Sequence, residues 1–281
     1  KESVPTFGKE TFIQAKGVVS SDKILPYIGK NSFTKEVPVT LELQKVENGN
    51  FDFSVDADFS ESRVEIPDFN WVKPGKVSLN LQARGQTSVD FNPFSLDFVS
   101  LSGSGTEVLG SVYYDKNNLD EFSLNASRFV LGRNNFTINH NDGFMLISGE
   151  SIDLGNMDFK EGGKTVSNNL KVRLNFENVY MSNGMMKSLR GEAVKKNGKF
   201  DNIFMESRLL NGNIVSFVGN REGRKSGAPL VVDVMAQDAG ETLRVTGAYK
   251  SLRGGQLTGQ LNINDEEGVS KSSGEIEIKQ A

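Results

Sequence analysis

The chain has 281 residues, enough for two average domains or one large β domain, and its 32 Lys and Arg against 36 Asp and Glu leave a net charge of −4. Without a clustered cationic excess to neutralise phosphates, nucleic acid is excluded as a main partner. No cysteine and one histidine, His140, exclude disulfide frameworks, thiolate chemistry and paired-imidazole metal sites. Glycine is abundant at 29 residues, helix formers never accumulate over long windows, and no run reaches the roughly 18 apolar residues of a membrane-spanning helix. Lys1–Glu10 does not read as a signal peptide.

In chain order, Ser21 to Ile28 starts from a capping residue, but Pro26 lacks the N–H a second turn would use, which predicts a short or kinked helix. Apolar and polar residues then alternate, as in half-buried antiparallel strands. The pattern runs through Val39, Leu41 and Leu43, and is clearest in Phe51, Phe53, Val55, Ala57 and Phe59. It returns in Val77, Leu79 and Leu81, in Phe94, Leu96 and Phe98, in Phe122, Leu124 and Ala126, and in Val172, Leu174 and Phe176. Leu261 with Ile263, and Ile276 with Ile278, close the series, for roughly fifteen strands in all. Between them, Asp238 with Glu241 three positions on forms a capping-box pattern, predicting a two-turn helix over 242–249.

Turn chemistry predicts register, because a one-residue slip inverts every side chain. A three-residue loop over 47–49 with Gly49 left-handed pairs Leu43 with Phe53 and Leu41 with Val55. The same loop at 141–143 pairs His140 with Phe144 and Ile138 with Leu146, and at 196–198 it pairs Val194 with Phe200. A meander is the economical topology. With so little helix, the apolar face must pack on itself by curling, closing or stacking.

Chemical sites are weak. Gly103-Ser104-Gly105 and the run from Gly219 to Ser226 lack phosphate-loop spacing and read as hairpin tips. Asp52, Asp56 and Asp58 read as a solvated strand face without the glycine and bidentate Glu of a calcium loop, and His140 as a strand-end residue. Lys195, Lys196, Lys199, Arg221, Arg224 and Lys225 form basic tips, for which solubility is the bland reading and contact with anionic headgroups the sharper one. Asn125 and Asn135 open tripeptides of the glycosylation type. No metal site and no catalytic pair emerges. The apolar stripe itself is either a closed core or an open groove for acyl chains, since both need the same alternation.

Three segments resemble the AsmA-like superfamily, nearest its YhdP branch. The first runs from Phe53 through Asp58, Ile66-Pro67 and Trp71 to Lys73-Pro74-Gly75; the second from Phe129 to Gly132 and on to Gly149-Glu-Ser-Ile-Asp153-Leu154. The third, the most specific, is Ala236-Gln-Asp238-Ala-Gly240-Glu-Thr-Leu-Arg244, with Tyr249 and Leu252-Arg-Gly-Gly255-Gln-Leu257. Gln237 and Thr242 depart from that motif's usual acid and leucine. Alternation and capping predict an all-β fold, an antiparallel meander with two short helices, and the resemblance implies that it is elongated and curled into an open taco-like groove. The resemblance also implies one segment over 1–281, with a sub-boundary near 100–110, from the C-terminal part of a longer periplasmic protein anchored in the inner membrane. The implied function is conduction of phospholipid or another acyl-chain lipid between inner and outer membranes, with no enzymatic activity, cofactor or metal. Membrane contact would come through parts outside the chain, and neighbouring segments would pair strands end to end. The expected lining is Leu41, Leu43, Phe51, Phe53, Val55, Phe59, Val77, Leu79, Leu81, Phe94, Leu96, Phe98, Val172, Leu174 and Phe176. The alternative reading is a structural or protein-interaction β domain with a closed core.

Overall fold

A computed structural model describes residues 12–21, 32–46, 49–89, 92–115, 117, 122–141, 143–155, 169–197, 199–221, 229–266 and 269–279. Among the described residues the fold is mostly strand, and sixteen of the nineteen strands there belong to a large mixed sheet that is not closed into a barrel. Contacts divide the chain into two compact units, one holding residues up to 67 and 71–132, the other 68–70 and 133 onwards. Residues 103–106 are the tip of a hairpin inside the first unit.

The first unit contains β1 (Phe12–Val19), β2 (Ser32–Phe33), β3 (Val37–Lys45), β4 (Phe51–Asp58), β5 (Val64–Ile66), β6 (Trp71–Lys73), β7 (Asn80–Thr87), β8 (Phe94–Gly103), β9 (Thr106–Tyr114) and β10 (Ser123–Leu131). Its large-sheet order is β1-β3-β4-β7-β8-β9-β10, antiparallel throughout, while β2-β5-β6 form a separate small sheet. The small sheet lies at one end of the strands, where Phe33, Val37 and Ala57 are buried against Val39, Phe59, Val64 and Leu81. The Phe33 and Phe59 rings meet edge to face at 5.5 Å, the arrangement aromatic quadrupoles favour.

The second unit contains β11 (Asn134–Asn141), β12 (Phe144–Asp153), β13 (Leu170–Met181), β14 (Gly184–Lys196), β15 (Lys199–Leu209), β16 (Ile214–Asn220), β17 (Leu230–Ala236), α1 (Ala239–Thr246), β18 (Gln256–Glu266) and β19 (Val269–Lys279), its strands in sequential order. The expected meander is broken once, because β12 and β13 run parallel. Hydrophobic periodicity is blind to strand direction, and residues 154–169 are long enough for the crossover that a parallel pair needs.

The segment after Asp238 is helical, over Ala239–Thr246 rather than 242–249. Asp238 Oδ1 accepts the Glu241 N–H at 2.9 Å, whereas the Ala239 and Gly240 N–H groups donate to the Gly255 and Gly254 carbonyls at 2.8 and 3.0 Å. These first-turn donors, which a helix leaves without intrahelical partners, are thereby satisfied. Half of the capping box forms; the Glu241 carboxylate turns instead to Arg244 Nε, 2.8 Å away. Beneath the helix, Ala239 and Val245 join Leu209, Val215, Val234, Ala236 and Leu257 in one buried cluster. Residues 22–28 of the other expected helix lie outside the described residues.

Register agrees with expectation at one hairpin of three. Gly49 has φ +80°, and Leu43 pairs with Phe53 and Leu41 with Val55. At the second, Asn141 pairs with Phe144 and Ile138 with Ile147, one residue from the expected register. Met145, Leu146 and Ile147 are all apolar, so alternation cannot choose between the two pairings. At the third, Lys196 pairs with Lys199, and a bulge sets Val194 opposite Asn202 instead of Phe200. Asn197 at φ +50° supplies the left-handed backbone that Asn-Gly hairpin loops use.

Candidate functional site

Successive side chains on a strand point to opposite faces, so the register fixes which residues share a face. In the first unit the row Ala15–Leu41–Val55–Ala83–Val99–Gly110–Ala126 crosses all seven large-sheet strands without a polar side chain. So do Ile13–Leu43–Phe53–Gly85–Leu96–Val112–Leu124 on one side of it and Gly17–Val39–Ala57–Leu81–Leu101–Val108–Phe129 on the other. The opposite face reads Lys16–Thr40–Asp56–Gln82–Ser100 and is tied by side-chain hydrogen bonds, Gln82 Nε2 to Asp56 Oδ1 at 2.9 Å and Gln14 Nε2 to Glu42 Oε1 at 2.7 Å.

The second unit repeats the division. Ile138–Ile147–Leu174–Gly191–Met205–Phe217–Val234–Gly259–Ile276 crosses nine strands, all apolar or glycine. The adjoining row, His140–Met145–Val172–Ala193–Ile203–Gly219–Val232–Leu261–Gly274, has His140 as its one polar member. On the other face Glu192 holds Lys171 at 2.9 Å and Arg173 at 3.1 Å. The Lys171 hydrogen bond, with Arg173 beside it, keeps the Glu192 carboxyl below its usual range.

The first unit's apolar face is covered at one end of its strands and partly open toward the other, whereas the second unit's carries a buried cluster toward each end. In the first unit the small sheet seals the Val37 end, while Leu41, Leu43, Phe51, Phe53, Val55, Phe94 and Leu96 are only half-buried. Phe53 and Phe94 stack at 5.7 Å near the open end, where Tyr114 is 37% exposed. In the second unit α1 packs over the cluster at one end; toward the other, Met145, Val172 and Leu174 are half-buried while Ile203, Leu230 and Val232 form a second buried cluster.

Glycines on these faces mark close backbone approach, a signal readable in the sequence but not used there. A Cβ at Gly85 would stand 1.8 Å from the Ser95 carbonyl oxygen, and one at Gly259 2.6 Å from that of Glu275.

Of the expected lining residues, Leu41, Leu43, Phe51, Phe53, Val55, Leu81, Phe94, Leu96, Val172, Leu174 and Phe176 lie on the apolar faces. Phe98 does not: Leu96 pairs with Gly85 and Phe98 with Arg84, and the intervening bulge turns Phe98 to the polar face, 40% exposed. A bulge adds one residue and so reverses parity. Val77 and Leu79 precede β7 rather than extending it, and Leu79, like Phe176, is 1% exposed and belongs to packed core. Phe59 packs in the small-sheet cluster.

Gly103-Ser104-Gly105 is a hairpin tip, with Gly103 paired to Thr106. Asp56 and Asp58 are exposed, and two hydrogen bonds from Ser60 lower the Asp58 carboxyl. His140 is 5% exposed, and burial lowers its imidazole pKa. Among the described residues no group of three or more His, Asp or Glu could hold a metal ion. Arg224 and Lys225 lie outside the described residues.

In the segments that carry the resemblance, buried polar groups are satisfied by nearby backbone and side chains. Lys73 is 3% exposed and its Nζ donates to the carbonyls of Ser60, Pro74 and Val77 at 3.2, 2.9 and 2.7 Å. Gly132 comes close to the Trp71 ring. Asp153, buried, accepts the Gly155 N–H at 2.9 Å, while its own N–H donates to Asn134 Oδ1 at 2.9 Å. Comparisons with protein-family profiles, curated proteins and solved structures find no match.

Proposed function

We propose that this chain conducts lipid: acyl chains lie against the apolar sheet faces while headgroups stay at the open, wet ends of the strands. The observation that carries this reading is the set of unbroken apolar rows in the first unit, several of whose large side chains, Leu41, Leu43, Phe53, Val55 and Leu96, are half-buried. Six gaps of ~4.8 Å across the seven strands of the first unit give roughly 29 Å, and three rows two residues apart span roughly 14 Å. One acyl chain needs half of a bilayer's ~30 Å hydrocarbon thickness. Burial contributes roughly 0.8 kcal/mol per methylene, so a chain is retained by several kcal/mol. Successive rows of similar chemistry offer near-equal positions between which it slides.

The resemblance to the YhdP branch of the AsmA-like superfamily supports phospholipid as cargo, the periplasm as compartment, and an inner-membrane anchor on a longer protein. On this reading the chain is not an enzyme. Native mass spectrometry of gently purified protein is the test: the proposal expects extractable phospholipid on the folded chain. Uniformly lipid-free protein from cells would favour the closed-core alternative.

A further inference from the structure

The face of the second unit turned away from its apolar rows is not uniformly polar. By register, Glu192, Phe204, Val218, Asp233, Gln260 and Glu275 form one row across β14–β19 of that face, and Arg190, Glu206, Ser216, Met235, Thr258 and Glu277 form the next. Phe204, Val218 and Met235 are 41, 43 and 53% exposed, and Val218 lines a depression with Asp233, Met235, Gln260, Glu275 and Glu277. Single exposed apolar side chains are ordinary, but those that adjoin across neighbouring strands form a patch.

Charge divides on either side of that patch. Exposed Lys187, Arg190 and Arg208 stand on β14 and β15, with Glu206 half-buried opposite Arg190. Exposed Asp233, Glu275 and Glu277 stand on β17 and β19, where Lys279 contacts Glu277 at 3.3 Å with both side chains in solvent. The strands β16, β17 and β18 carry no Lys or Arg. Lys187 and Arg208 are directly opposed in the ladder, and like charges so placed destabilise a sheet, so an acidic surface laid over them relieves the repulsion.

A face with cations on one side of an apolar centre and carboxylates on the other is complementary to itself. A two-fold axis running along the strands between β16 and β17 sets β14 of one copy over β19 of the other, and β15 over β18. Each basic side then meets an acidic one, while Val218 and Met235 meet at the centre. A cationic segment of another protein would answer the acidic side alone.

We propose that a second copy of this chain docks on this face, forming a two-fold dimer of face-to-face sheets. Such sheets pack ~10 Å apart with their strands within about 30° of one another. Five gaps of ~4.8 Å and strands of roughly 24 Å cover roughly 600 Å² per copy, below the ~800 Å² of a standard interface. The dimer is therefore reversible and depends on charge. The apolar rows lie on the opposite face, so the dimer is independent of lipid conduction.

The test is analytical ultracentrifugation of the purified chain up to ~200 μM, at ~50 and ~500 mM salt. The wild type is expected to dimerise reversibly at low salt, its dissociation constant rising about tenfold at high salt as the interface charges are screened. Glu275→Lys with Glu277→Lys should weaken self-association about tenfold, as should Arg190→Glu with Arg208→Glu. Mixed together, the two variants should pair with wild-type strength, because each supplies on both sides the charge the other lacks. All four positions are exposed, circular dichroism checks that the variants fold, and the wild-type salt series needs no variant. A chain that stays monomeric at ~200 μM in low salt overturns the proposal. So does a dimer that neither charge reversal weakens, or a mixture of the two variants that fails to pair.

Discussion

Gly85→Ala and Gly17→Ala place the same methyl group on the same apolar face with opposite expected outcomes. At Gly85 the new Cβ would lie 1.8 Å from the Ser95 oxygen, 2.8 Å from its carbonyl carbon and 3.0 Å from Leu96 Cα, all backbone atoms of β8. Ordinary contact begins near 3.4 Å, so the two strands must separate by more than an ångström beside the bulge. Overpacking that moves backbone costs ~1–3 kcal/mol, and the strained ladder hydrogen bonds put this site at the upper end. At 2–4 °C per kcal/mol for chains of this size, the midpoint should fall by roughly 5–10 °C. At Gly17 no atom lies within 4 Å, and Ala is favoured over Gly inside a strand by ~0.5 kcal/mol. That variant should melt at or slightly above the wild type. Thermal unfolding followed by far-UV circular dichroism reads both. Equal midpoints would refute the close approach of β7 and β8, and with it the account of inward glycines.

Asp238→Ala removes the acceptor for the Glu241 N–H and for Asn211 Nδ2 and should cost about 1 kcal/mol by denaturant titration, leaving lipid binding intact. His140 is the chain's one histidine, and burial lowers its folded-state pKa below the ordinary 6.5. Between those two values the unfolded chain binds more protons, so stability falls as pH drops through 6.5 and levels off below the folded pKa; melting in His140→Phe should lack that component. Leu96→Ser should destabilise by ~1–2 kcal/mol and Phe98→Ser by less than ~0.5, reflecting their opposite faces; equal losses would reject the bulge.

Alternation sufficed to read the β class, the apolar face and the helix at Asp238, because these depend on local period and capping chemistry. It failed where the ladder adds a residue. Phe98 matches Phe94 and Leu96 in sequence, yet the bulge inverts it, and Asn141 pairs with Phe144 and Lys196 with Lys199, a tighter closure than the expected three-residue loops that alternation does not signal. The parallel β12–β13 pair leaves no trace in periodicity. Nor does alternation separate Val55, half-buried, from Phe176, sealed, since coverage by α1 or the small sheet is a tertiary matter. The burial of Lys195, 8% exposed, is not legible in the sequence, where it is one of several lysines at a hairpin tip.

The most direct test of lipid conduction is photo-crosslinking in cells at adjacent positions of opposite facing. A crosslinking residue at 53, 55 or 174, replacing Phe53, Val55 or Leu174 on the half-buried apolar faces, should capture phospholipid. The same residue at 54, 56 or 173, replacing Ser54, Asp56 or Arg173 on the polar faces, should not. Val55→Asp should block lipid capture at 53 while the protein stays folded, because a partly wet wall lets the charge keep water. If Val55→Asp abolishes folded protein, as an unpaired charge in a dry core would, and no inward position captures lipid, the apolar faces are sealed cores and lipid conduction is contradicted.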